Sequence, residues 1–303
     1  MTSILTNNAA MAALQTLRSI GSDLQQTQNA VSSGLRISKA SDNAAYWSIA
    51  TSMKSDNSAI GAVSDALGLG AAKVDTATTA VTSALDVVGQ IKDKLVTAME
   101  GSVDKKSIQE EIGQLQQQLQ SVAQSASFNG ENWVMAQSGD SASVVSSFIR
   151  GTNGTVSVST TSYEFNSGAT GNVLFGANNG TIDTSSGILG TQDSTVGASV
   201  FSLDITGMTG GQISSALNMV QTALNAMTSM NSRLGSISAR IDLQTSFASS
   251  LSDSIESGVG KLVDADMEQE SSKLSALQTQ QQLAVQSLSI ANSSTQSILS
   301  LFR

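Results

Sequence analysis

The residues with the strongest claim to chemistry are four acids at alternating positions, Asp264, Asp266, Glu268 and Glu270. Carboxylates gathered so densely could hold a hard cation. On a helix, however, positions two apart do not face each other, and acids in a first turn oppose the positive end of the helix dipole. The spacing therefore predicts a helix start rather than a metal site. The rest of the inventory is short. The chain has no Cys, hence no disulfide, thiolate nucleophile or thiolate ligand, and no His, the commonest general base and metal ligand. Residues 134–206 hold one base, Arg150, and scattered acids at Asp140, Glu164, Asp183, Asp193 and Asp204 with no pairing. No calcium-loop spacing, phosphate-cradling Gly loop or nucleophile elbow occurs. No catalytic residue, metal or cofactor is expected.

The elements that would position these residues are helical. From Ile49 to Ala98, steps of four and three land on Ile49, Met53, Asp56, Ile60, Val63, Leu67, Gly70, Val74, Ala77, Val81, Ala84, Val88, Ile91, Leu95 and Ala98. Only Asp56 and Gly70 interrupt this apolar stripe, and both read as local loosening unless Asp56 sets the register. A heptad seam of this kind predicts one helix of about 75 Å at 1.5 Å per residue, which needs partners of similar length. The absence of Pro allows it. A net charge of −9 argues against nucleic acid and anionic membrane as partners. With only 13% charged residues, much of the surface must be uncharged polar and small side chains, as suits a protein interface.

A first seam, Ala10, Leu14, Leu17, Gly21, Leu24, Gln28, Val31 and Leu35, predicts a helix capped by Asn7 or Asn8 and ended near Gly34. Ser41 or Asp42 should cap the long helix. A third seam, Ile108 to Ala126, follows a break at Gly101 and folds back on the long helix. Its glutamines, Gln114, Gln116 to Gln118 and Gln120, read as a polar face or as hydrogen bonds between packed subunits. Phe128-Asn129-Gly130 marks a turn. Beyond Trp133 the helical period gives way to Gly-rich sequence with period-two runs at 155–159 and 200–205, read as strands. Helical spacing resumes at Ile213 and runs to Leu262, slipping phase at Met230. A final seam runs from Leu274 through Leu277, Gln281, Ala284, Leu288, Ala291, Thr295 and Ile298 to Phe302, with Leu283, Ile290 and Leu301 apolar off it.

The expected fold is mainly α: a long antiparallel coiled-coil bundle from the N- and C-terminal thirds, with a small β-rich insert. The division is 1–40 and 265–303 as an inner terminal-helix domain, 41–133 and 207–264 as a helical rod, and 134–206 as the outer insert. Two paired terminal helices bury too few apolar side chains to offset the entropy of ordering them, so they should order when further copies enclose them. Residues 1–8 carry no base and no apolar run, so no secretory signal is read there.

Val31-Ser32-Ser33-Gly34-Leu35-Arg36-Ile37-Ser38, then Asp42-Asn43-Ala44-Ala45 and Ile49-Ala50, resembles the N-terminal signature of bacterial flagellins. The end, Ser289-Ile290-Ala291-Asn292-Ser293-Ser294-Thr295-Gln296-Ser297-Ile298-Leu299-Ser300-Leu301-Phe302-Arg303, is similar to the flagellin C-terminus, and residues 283–291 look like the alphaproteobacterial type. The resemblance implies a structural subunit that self-assembles into the flagellar filament, a helical homopolymer in which other flagellins could join. It implies export by the flagellar type III system to an extracellular filament, with an export chaperone, hook-associated proteins and a filament cap as partners. Host immune receptors are further partners of the family. Here Asn43 and Tyr46-Trp47 depart from the plant-detected pattern, and residues 89–92 from the animal one. Self-assembly is assigned to Leu14, Leu17, Leu24, Val31, Leu35, Arg36, Leu274, Leu277, Leu288, Ile298, Leu299 and Phe302. The alternatives are a hook–filament junction protein and, from another class, an enzyme carried in the insert.

Overall fold

The computed structural model describes residues 7–100, 103–151, 155–178 and 180–300, the backbone alone over 294–300. Five helices, α1 Asn8–Ser33, α2 Ala44–Ala98, α3 Lys105–Ser125, α4 Gly210–Val263 and α5 Met267–Ser300, carry most of the chain. The strands β1 Ser127–Phe128, β2 Glu131–Asn132, β3 Ser141–Arg150, β4 Val156–Glu164, β5 Gly176–Asn178 and β6 Thr181–Asp183 pair as three separate antiparallel hairpins. The class is thus mainly α with a small β-rich insert. Contacts group the chain into two units, one of residues 59–251 and one of the described residues up to 58 together with those from 252.

In the first unit the seam of α2 is sealed. Leu67, Val74, Val81, Val88, Ile91 and Leu95 are 0–1% exposed, in one core with Ile112 and Leu119 of α3 and Ile213, Val220, Met227 and Leu234 of α4. Lys92 Nζ donates to Gln221 Oε1 at 2.8 Å, while Leu67 lines one hollow with Ile241 and Gln244, so α2 and α4 run antiparallel. Lys94 pairs with Glu111, and Lys73 with Glu131 at 2.9 Å, which sets α3 antiparallel to α2 as well. Met227, Met230 and Leu234 are all buried, so the phase slip is absorbed within one unbroken helix.

Gly70 does more than loosen the seam. It is buried, and a Cβ there would overlap Val144 Cγ1 of β3, so its missing side chain lets the hairpin lie against α2. Asn129 and Gly130 take φ of 51° and 84°, the two left-handed positions of a tight hairpin turn. Trp133 stacks on Tyr163 at 5.6 Å, and Phe165 meets both edge-on, closing the base of the insert.

The run 200–205 is not a strand. Val200, Leu203 and Ile205 are buried, but the backbone turns, and its polar groups find side chains and single backbone partners, Phe201 N donating to Leu189 O and Met208 N to Ile205 O, rather than a neighbouring strand. Gln116 Nε2 donates to Val200 O and Leu203 O, each at 3.1 Å. Gln109 donates to Leu203 O at 3.1 Å and accepts from Ile205 N at 2.9 Å, and Lys105 Nζ donates to Met208 O at 2.7 Å. Gln116 is accordingly a buried strap, not part of a polar face.

In the second unit α1 lies antiparallel to α5. Asn7 caps α1, accepting from Ala10 N at 3.0 Å, and its Nδ2 reaches Ala291 O at 3.0 Å. Gly34, at φ 71°, ends the helix, as its position predicts. The two linkers are clasped: Arg36 N and Ile37 N donate to Val263 O, Ala265 N donates to Gly34 O, and Arg36 Nη2 caps Leu262 O at 3.0 Å. Beside the clasp, Ile37, Ala50, Val259 and Val263 form a small core. The cap of α2 is Asn43, whose Oδ1 accepts from Ala45 N and Tyr46 N, whereas the Asp42 carboxylate turns back to accept from Ser38 N and Lys39 N.

Candidate functional site

Three of the four alternating acids mark a helix start, as their spacing predicts. Asp266 Oδ1 accepts from Glu268 N and Gln269 N at the start of α5, and Glu268 and Glu270 lie in its first turn. In the insert, Asp183 accepts from Ser185 and Ser186, Asp193 from the backbone of Thr195 and Val196, and Asp204 from that of Thr206. Those hydrogen bonds hold all three carboxyls below the usual range. Each acid is spent on its own turn, and among the described residues no three His, Cys, Asp or Glu gather as metal ligands.

Burial separates α1 and α5 from the rest of the chain. Of the described residues on these two helices, only Ala10, Thr27 and Leu277 are buried. Leu17, Leu24, Val31, Leu274 and Leu288 are half-buried, as is Leu35 in the linker after α1, while Leu14 is exposed. Arg36 is engaged with the end of α4. The side chains of Ile298 and Leu299, and Phe302 altogether, lie outside the described residues. The predicted seams therefore do meet, but as a two-stranded pair that covers only one side of each helix.

The opposite sides are apolar too. Met11 is 62% exposed, Leu283 59%, Val285 53% and Ile290 68%. Leu283 and Ile290 stand seven residues apart and share a stripe. The apolar character of α5 on more than one side was legible from Leu283 and Ile290; Met11 and Val285 were not singled out, although the same off-seam count would have found them. An amphipathic helix in a closed core does not look like this. It is the geometry of helices that lack further neighbours.

Residues 4–138 match the bacterial flagellin N-terminal helical region, and residues 217–302 the bacterial flagellin C-terminal helical region. Flagellin C of Rhizobium meliloti (strain 1021) is 47% identical over 323 aligned residues, and flagellin A of Rhizobium meliloti 44% over 395. Flagellin of Brucella melitensis biotype 1 is 47% identical over 304. Each alignment covers 100% of both chains.

Proposed function

The chain belongs to the bacterial flagellin family and is a structural subunit of the flagellar filament; on that premise we propose that it polymerises through the α1–α5 pair. The observation that carries this is the apolar surface left open on both helices: Met11, Leu14, Leu283, Val285 and Ile290. Enclosing such residues between copies returns about 1.5–3 kcal/mol for each large side chain fully buried, repeated in every subunit added. The half-buried residues Leu17, Leu24, Val31, Leu274 and Leu288 hold the pair together, Leu277 anchors it, and Leu35 and Arg36 tie it to the end of α4. Ile298, Leu299 and Phe302 extend the same stripe by sequence.

In this reading 1–40 and 265–303 line the inside of the filament, 41–133 and 207–264 form the next shell, and 134–206 faces outward. Export is through the flagellar type III channel as an unfolded chain. The absence of Cys supports this, because no disulfide can close before passage, and the absence of Pro removes slow isomerisation on refolding. An export chaperone holds the ends before assembly, and hook-associated proteins and a cap bound the filament. Other flagellins co-assemble on the same terminal surface.

Deleting residues 270–303 tests the core of the proposal. The expected product is a soluble, helical protein that does not extend wild-type filament seeds in sedimentation or electron microscopy. Seeds that grow from the truncated chain at the wild-type rate overturn it.

A further inference from the structure

A second surface, built within residues 59–251 alone, has the marks of a subunit contact. Along α4 the positions 233, 240 and 247 recur at seven residues and share one stripe. They hold Arg233, Arg240 and Phe247, and Leu243 stands one turn from Arg240. Phe247 is 60% exposed and Leu243 71%. Three successive hollows follow this stripe where α4 meets the β3–β4 hairpin. Arg233 lines the first with Tyr163, Glu164 and Asn166; Arg240 lines the second with Val145 and Thr161; Phe247 lines the third with Phe148 and Leu251. The Thr161 hydroxyl in the second hollow is buried without a hydrogen-bond partner. Both guanidiniums are outside any ion pair among the described residues, in a chain of net charge −9.

The same unit carries the complement. Asp86 and Asp93 lie on α2 at the same seven-residue interval, continued by Glu100 just past the helix, and all three are exposed. The neighbouring lysines are otherwise occupied, Lys92 with Gln221 and Lys94 with Glu111. Val96, 50% exposed, and Met99, 46%, add apolar surface beside the acids. Two arginines about 10 Å apart along one helix thus match two aspartates about 10 Å apart along another, given the 1.5 Å rise per residue.

The two stripes cannot meet within one molecule. The register of Lys92 with Gln221 and of Leu67 with Ile241 and Gln244 places the arginines about 15 residues along the bundle from the aspartates, roughly 20–25 Å. We propose that Arg233 and Arg240 of one copy receive Asp86 and Asp93 of a second copy displaced by that distance along the helices, with Phe247 and Leu243 packing beside the pairs. The contact is heterologous, one patch against a different patch, so every copy added leaves one patch of each kind open and the assembly does not close. The proposal rests on the filament reading above but concerns a surface independent of α1 and α5.

The test is charge reversal in the full chain, read by seeded polymerisation and checked by circular dichroism of the monomer. R233E/R240E and D86R/D93R should each raise the critical concentration at least tenfold, and the fourfold variant should return it to within about threefold of wild type. The milder pairs R233Q/R240Q and D86N/D93N keep the test open if reversal disturbs folding. Each should raise the critical concentration by about five- to tenfold, and their combination should cost no more than either alone. Additive losses in the neutral set, or folded reversals that assemble like wild type, overturn the pairing. Reversals that are not rescued in the fourfold variant assign the stripe to some other occupant and overturn it equally. Wild-type chains that fail to assemble on seeds would instead count against the filament reading.

Discussion

Replacing Gln116 by Leu should destabilise residues 59–251 by an amount that the structure fixes within narrow bounds. The side chain is 9% exposed, and its amide donates to two backbone carbonyls. Leu203 O keeps Gln109 as a second donor, whereas Gln116 is the donor to Val200 O among the described residues. The substitution therefore orphans one buried carbonyl, at about 1–3 kcal/mol, and weakens the hold on another. The leucine returns at most about 1 kcal/mol of apolar burial. The expected net loss is about 1–2 kcal/mol, or about 0.5–1 M in urea midpoint for an m-value near 2 kcal/mol/M. Trp133, stacked on Tyr163 in the same core, reports the transition by fluorescence once Trp47 is replaced by Phe. Gln118→Leu, at an exposed position of α3, is the control and should stay within about 0.5 kcal/mol of wild type. If the two variants unfold at the same urea concentration, residues 200–205 do not depend on the glutamine strap.

Gly70→Ala should cost about 1–3 kcal/mol, because its methyl group displaces Val144, and adding Val144→Ala should recover part of the loss in the same urea assay. Leu283→Ser with Ile290→Ser should leave the circular dichroism of the monomer unchanged while raising the critical concentration for seeded growth at least tenfold. Tyr163 titrates at about 12, pushed up by burial against the opposing effects of Arg233 and the hydrogen bond to Asn172. Its folded value lies above the unfolded one near 10, so the neutral phenol stabilises the fold fully below pH 10, and that contribution fades as pH rises from about 10 to about 12. Tyr163→Phe should flatten this alkaline loss in urea midpoint. Asp183, Asp193 and Asp204 act in the opposite sense: their folded values lie below the unfolded one near 4, so their contribution is present above it and disappears as pH falls through the folded values. Acid titration of the insert's near-ultraviolet dichroism should show this.

The helices were legible because their evidence repeats. Some fifteen positions of α2 vote on one seam, and a single Asp or Gly does not change the count. Features decided by one contact were not. Gly70 looks like a defect until Val144 of a distant hairpin is placed against it. Gln116 looks like one more polar residue in a Gln-rich helix, since nothing local says that residues 200–205 will come to rest on it. That run itself alternates well enough to suggest a strand, but among the described residues no second strand stands beside it, and glutamine side chains hold Val200 O, Leu203 O and Ile205 N. Ser41 or Asp42 was the expected cap and Asn43 is the one in place, a difference one residue wide that lies below what propensity resolves. The terminal surface was half legible: the off-seam residues Leu283 and Ile290 announced a crowded setting, while the pairing of α1 with α5 fixed which side stays open.

The clasp between residues 34–37 and 262–265 has a consequence for timing. Arg36 meets a carbonyl 226 positions later, and Asn7 meets one 284 positions later, almost the full span of the polypeptide. Contacts that distant cannot form until the final helix exists beside the first, and closing so long a loop makes them late on any folding route. The earliest residues to be made are thus the last to settle. An interrupted or shortened molecule would leave α1 without its mate, so that only a chain finished to its far end can present both halves of the pair.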